Sequence, residues 1–208
     1  NINTFPFIIV SEGKKIISII EGFHVIDRTM IVPKGYKLSV SGNTGLDFIN
    51  KASLISYSAL EIVGKKNRKI IIRSSDSSGR GIAVISADNI SLLNNVIIDG
   101  LSSPSHEGWS LSGAVNFYES EVIMKNSAII NPRSEDGLNI IRTKFSLDSC
   151  IFSNTQSDAF DGDFVEGEIK NSSFKNCGND GIDISGSNIK LDNISLSHVG
   201  DKAISAGE

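Results

Sequence analysis

Asp136-Gly137-Leu138-Asn139-Ile140, Asp158-Ala159-Phe160-Asp161-Gly162 and Asp180-Gly181-Ile182-Asp183-Ile184 place one pattern at steps of 22 residues. Leu138, Phe160, Ile182 and Ile204 carry the step into a fourth copy, Asp201-Lys202-Ala203-Ile204-Ser205. A second ladder, Met124, Leu147, Ile169 and Leu191, runs at steps of 23, 22 and 22, with Asn126, Ser149, Asn171 and Asn193 two residues beyond its members. Asn131, Asn154, Asn176 and His198 form a third. An earlier copy reads as Leu92, Asn94 and Asp99, 32 residues upstream of Met124, Asn126 and Asn131, and the surplus falls in Ser102 to Ser110, a loop inserted into one coil.

A unit this short cannot hold a helical pair or a strand with a full helix. Its β-branched runs of about four to six residues, punctuated by Gly, Asn and Ser, read as two or three short strands joined by turns. Stacked units put each strand parallel to its copy one coil away, at about 4.8 Å, like residue over like. The expected fold is all-β, a right-handed parallel β-helix of about 22 residues per coil; the alternating-leucine consensus of leucine-rich repeats is absent. Side chains alternate along a strand. With Leu138, Phe160, Ile182 and Ile204 inward, Asn139, Asp161, Asp183 and Ser205 form an outward row, and Ile141, Asp163, Ser185 and Gly207 a second beside it. Acidic residues thus collect on one outer face.

The amino-terminal third is less regular. Strand-like segments between Met30 and Val63, separated by Pro33-Lys34-Gly35 and Ser41-Gly42-Asn43, read as earlier coils. Residues 1–29, with Phe5 to Val10 and Ile16 to Ile20, are expected to cap the open end, leaving 30–208 as the helix. At the other end, Ser205-Ala206-Gly207-Glu208 stops inside a strand, an unpaired edge expected to continue or to meet another chain.

The 208 residues carry 20 Lys+Arg against 24 Asp+Glu, a net charge of −4, which argues against nucleic acid as a partner. A hydrophobic fraction of 39% supplies a core and excludes a disordered chain. The chain starts at Asn1 without the pattern of a secretory leader, so a leader removed or a longer parent is expected. Apolar runs such as Ile70-Ile71-Ile72 are far below the roughly 18 residues of a membrane span. Cys150 and Cys177 fall in different columns of the repeat and are expected as free thiols.

Asn-Asp-Gly-Ile-Asp-Ile-Ser-Gly-Ser at 179–187 and Gly-Asp-Lys-Ala-Ile-Ser at 200–205 resemble right-handed parallel β-helix repeat proteins of bacterial secreted and surface systems. The resemblance covers residues 80–208 best. It implies a secreted or cell-surface location and a polysaccharide or surface glycan as partner. It leaves activity open, because that fold serves polysaccharide lyases, uronan epimerases, hydrolases, phage tailspikes and plain surface solenoids.

Asp161 above Asp183 at one strand spacing repels by roughly 0.8 kcal/mol in water and more where solvent is excluded. Two chemistries answer such a pair. A Ca²⁺ ion could draw its oxygens from Asp161, Asp163 and Asp183. Alternatively, the same three residues could serve acid–base catalysis, since close carboxyls raise one pKa and leave a proton donor beside a base. Hydrolases similar in fold use two or three Asp on neighbouring coils, but their accompanying Gly-His-Gly and Arg-x-Lys segments are missing here. Asp136, Asp158, Asp180 and Asp201 are read as turn residues accepting backbone hydrogen bonds. Trp109 on the inserted loop, Tyr118, and Arg142 beside the acidic rows are the candidate substrate-binding residues. Asn126, Asn171 and Asn193 are expected to point inward and bond the next coil's backbone. Two function classes follow: a structural or adhesive solenoid that binds carbohydrate, and a lyase, epimerase or hydrolase acting on uronic-acid polymers.

Overall fold

A computed structural model describes residues 5–207; Asn1 and Glu208 lie outside them. It is a β-solenoid of about nine turns, with strands and no helix among the described residues. Among the described residues no helix is long and apolar enough to cross a membrane. Each coil contributes one strand to each of three parallel sheets. The first sheet runs from Ile16–Ile19 to Asn188–Asp192, the second from Gly22–Ile26 to Ser195–Val199 and the third from Met30–Val32 to Ile204–Gly207.

The 22-residue step is the pairing register. Leu138 pairs with Phe160, Phe160 with Ile182 and Ile182 with Ile204. The first three are fully buried. Aromatic rings add to the core: Phe152 stacks on Phe174 one coil away at 4.8 Å with planes 3° apart, and Phe145 of the first sheet meets Phe160 of the third at 5.3 Å, tilted by 43°. Burying each such ring removes apolar surface from water at about 25 cal/mol per Å², the main term holding coil on coil.

Ahead of Met30, Ile16–Ile19 and Gly22–Ile26 already pair in parallel with the second coil. Only Ile8–Ser11 departs, running antiparallel to Ile16–Ile19. The early copy is one residue out: Leu93, not Leu92, pairs with Met124, because Asn94 and Asn95 offered two equal alignments. Asn126, Asn171 and Asn193 are exposed instead of inward. Their backbones sit at φ 50°, 50° and 52°, the left-handed region that Asn tolerates better than most residues. Their amides bond the coil before on the surface: Asn126 to Asn94 at 3.1 Å, Asn171 to Asp148 at 3.0 Å and Asn193 to Asn171 at 2.9 Å.

In the later coils each corner of the triangle uses one left-handed residue to turn the chain. Asn131, Asn154, Asn176 and His198 make the corner between second and third sheets, at φ 50° to 57°. Asn154 donates to Asn131 and Asn176 to Asn154, both at 2.8 Å. Both cysteines are free and buried. Residues inserted before the strand Gly113–Tyr118 fold as a hairpin, Ser105–His106 against Trp109–Ser110.

Phe160→Ala would leave a void between Leu138 and Ile182. It should lower unfolding free energy by about 3–5 kcal/mol, read as a fall in the urea midpoint.

Candidate functional site

The outer face of the third sheet holds the acidic rows. Asn139 pairs with Asp161, Asp161 with Asp183, and Ile141 with Asp163. The alternation breaks once per coil, since Ala159 and Phe160 are adjacent yet both in the core. That break places the strand-entry residue Asp158 on the same outer side as Asp161. Asp158 accepts from the Asp180 amide at 2.7 Å, and Asp180 from the Lys202 amide at 2.8 Å. These strand-entry carboxylates therefore serve as backbone acceptors across coils.

Asn139 faces outward yet is only 2% exposed. The chain entering at Ser112–Gly113 crowds this part of the face. Asn116 clasps Gly113, accepting from its N–H at 3.0 Å and donating to its carbonyl at 2.6 Å, while a Cβ on Gly113 would stand 3.0 Å from that of Asn139. Asn139 donates Nδ2 to Asp161 at 2.7 Å, and its Oδ1 has no partner. Burial, helped by the charges of Asp136, Asp163 and Asp183, pushes the Asp161 carboxyl up to about 7. Burial also pushes Asp136 up to about 6, against a hydrogen bond from Ser112. Among the described residues no three His, Cys, Asp or Glu side chains converge as metal ligands.

The two ends of this face differ. Trp109 belongs to the hairpin at the strand entrance, edge-on to His106 at 6.4 Å. Tyr118 closes the strand Gly113–Tyr118 at the opposite end, roughly 16 Å away along the backbone. Trp109 is thus separated from Tyr118 and Arg142, which do come together: Arg142 donates to the Tyr118 hydroxyl at 3.1 Å. Arg142 also lies 5.9 Å from the Phe164 ring centroid and has no carboxylate within ion-pair distance among the described residues.

Phe164 was not singled out by the sequence reading, and it is 61% exposed. Glu119, Arg142, Phe164 and Gly186 are successive left-handed residues of the corner between third and first sheets, at φ 48°, 52°, 53° and 57°. Here the chain places Arg and Phe where the other corners place Asn. A Cβ at Gly186 would stand 2.7 Å from the Phe164 ring, so the missing side chain lets the ring lie across the next coil. Arg142, Thr143, Lys144, Phe164, Glu166 and Asn188 line a groove of about 480 Å³. Lys144 is tied to Glu166 at 3.1 Å, leaving Arg142 as its unpaired cation. The signal that could have exposed Phe164 was its place in the corner column, one coil after Arg142.

No protein-family model matches the chain, and no curated protein matches it. Among solved structures, the Streptococcus pneumoniae surface protein and adhesin PfbA is similar over 95% of this chain and 92% of its own, at 9% identity and a TM-score of 0.17. A likeness that slight carries no argument about function.

Asp161 and Asp136 hold their protons more tightly folded than unfolded, where a carboxyl titrates near 3.9. The stability linked to them is complete below about pH 4 and is lost as pH rises through about 6 to 7. Asp161→Asn, which keeps an acceptor for Asn139, should raise the melting temperature by a few degrees at about pH 8 and change it little at about pH 4.

Proposed function

We propose that this chain is a module of a secreted or cell-surface solenoid that binds a uronic-acid-bearing glycan at the corner formed by Tyr118, Arg142 and Phe164. The observation that carries the reading is the composition of the left-handed corner column. A bulky residue held there costs about 1 kcal/mol or more, which Asn or Gly would largely avoid. The two other corners use mainly Asn, whereas this one keeps an exposed ring and an unpaired guanidinium side by side. An aromatic face receives the apolar side of a pyranose, and the guanidinium fork matches a carboxylate in a bidentate hydrogen bond. Tyr118 steers that fork from below. The parallel stack supports the reading by holding Arg142 and Phe164 in two-residue corners between paired strands, with Tyr118 at a strand end, instead of on a long loop.

Phe164→Asn is the sharpest test. It should raise the melting temperature slightly, because Asn suits φ 53°, while weakening binding to a uronan panel about tenfold or more. Arg142→Gln should lose the acidic glycans while the fold stays intact. Wild-type-like binding in both variants would remove this corner from consideration.

A second reading, chemistry on uronic-acid polymers, is favoured by one observation: Asp161, raised to about 7, stands beside the carboxyl groups of Asp163 and Asp183. Incubation with the same panel, followed by ultraviolet absorbance for lyase product and reducing ends for hydrolysis, tests it. Turnover abolished by Asp161→Asn is the outcome this reading requires.

A further inference from the structure

The run Lys65-Lys66-Asn67-Arg68-Lys69 stands out in a chain of net charge −4. It connects the strands Leu60–Val63 and Ile70–Arg73 at the corner between first and second sheets. The later coils spend a single left-handed residue there, such as Asn95, Asn126 or Asn171. Here the chain instead makes a projecting two-residue turn, closed by Lys65 and Arg68 bonding each other at 3.0 and 2.9 Å. Gly64 anchors the base of that turn, donating to the Asn94 carbonyl at 2.8 Å. A Cβ on Gly64 would come 2.8 Å from the Ile70 nitrogen, so the chain doubles back where no side chain fits.

Lys65, Lys66 and Arg68 are exposed and Lys69 is half-buried. None of the four has a carboxylate within ion-pair distance among the described residues. Four unopposed cations on one anchored turn concentrate positive potential locally against the net charge of the chain.

Grooves open on both sides of the turn, and Lys69 lines each. One, of about 400 Å³, includes Phe23, Asn43, Thr44, Ile71 and Arg73. The other, of about 440 Å³, includes Lys66, Asn95, Asn126, Ser149 and Ile151. The first lies on the outer face of the second sheet, and the second follows the adjoining corner and meets that face at Ile151. On that face Phe23, Gly45, Ile71, Ile97, Ala128 and Ile151 share one column. Phe23, Ile71 and Ile151 are 57%, 44% and 46% exposed. The column spans five strand spacings, about 24 Å.

We infer that this path is a binding site for a linear sulfated polysaccharide, whose sulfates meet the turn and whose sugar rings lie along the apolar column. Asn43, Asn95, Asn126 and Ser149 supply amide and hydroxyl partners for sugar hydroxyls. Single-stranded nucleic acid is disfavoured because it needs several aromatic platforms for successive bases, and this path has one ring, Phe23. The site is separate from the Arg142 corner and does not depend on it.

Dextran sulfate, which has sulfates and no uronic acid, is the probe, so that binding cannot come from a uronate site. The full chain should bind it in a salt-sensitive manner and ignore neutral dextran. Lys66→Glu with Arg68→Glu should weaken binding about tenfold or more, and the milder Lys69→Gln to a lesser degree, with unchanged melting temperatures. Lys175→Glu with Lys190→Glu makes the same charge change four and five coils away and should have little effect. The inference is overturned if dextran sulfate does not bind, if the remote pair weakens it as much as the turn pair, or if a single-stranded oligonucleotide of equal charge binds as tightly.

Discussion

The parallel hydrogen-bond ladder between coils obliges every residue to stand on its counterpart one turn away, and the rest of the molecule follows from that constraint. At about 4.8 Å, identical neighbours either reinforce or oppose one another. Apolar side chains reinforce: Phe152 on Phe174 and Phe160 between Leu138 and Ile182 form a continuous core. Asparagines reinforce too, because an amide both donates and accepts, so Asn176, Asn154 and Asn131 bond in sequence up one corner. Carboxylates oppose. Where Asp161 stands over Asp183, the solution is partial burial, an asparagine on the neighbouring coil and a proton held nearly to neutrality.

The corners of the later coils carry the second constraint, one left-handed residue per turn. Asn meets it cheaply, and two corners are built mainly of Asn. Departures from that rule mark the places where the surface has more to offer than a turn. At one corner the departure is Arg142 followed by Phe164, with Gly186 clearing space for the ring. At another it is the projecting turn from Lys65 to Arg68, ahead of the regular column that starts at Asn95. Both put charge beside exposed apolar surface on short connections anchored at each end by paired strands.

Between these corners the third sheet's outer face is neither fully solvated nor enclosed. The inserted segment before Gly113 crowds one part of it, which accounts for the buried Asn116 and Asn139. That cover strips water from Asp136 and Asp161 and makes their protonation part of the folding equilibrium. Trp109, on the hairpin of the same insertion, stands at the entrance of the strand and contributes nothing to the Arg142 corner at its exit.

By itself the sequence determined who stands over whom. A fixed step of 22 places Asp161 over Asp183 and Phe160 over Ile182, because a repeat that short has only parallel strands to offer. It left the alignment open where two asparagines, Asn94 and Asn95, gave equal matches, and it put Asn126 inside when its backbone geometry turns it out. Tertiary structure alone decided what covers an outward residue and which side chains meet across a corner, so Asn139 is buried and Phe164 joins Arg142 and Tyr118. The physical reason is that periodicity encodes neighbours along the solenoid axis, whereas lateral contacts depend on insertions and backbone handedness that interrupt the repeat.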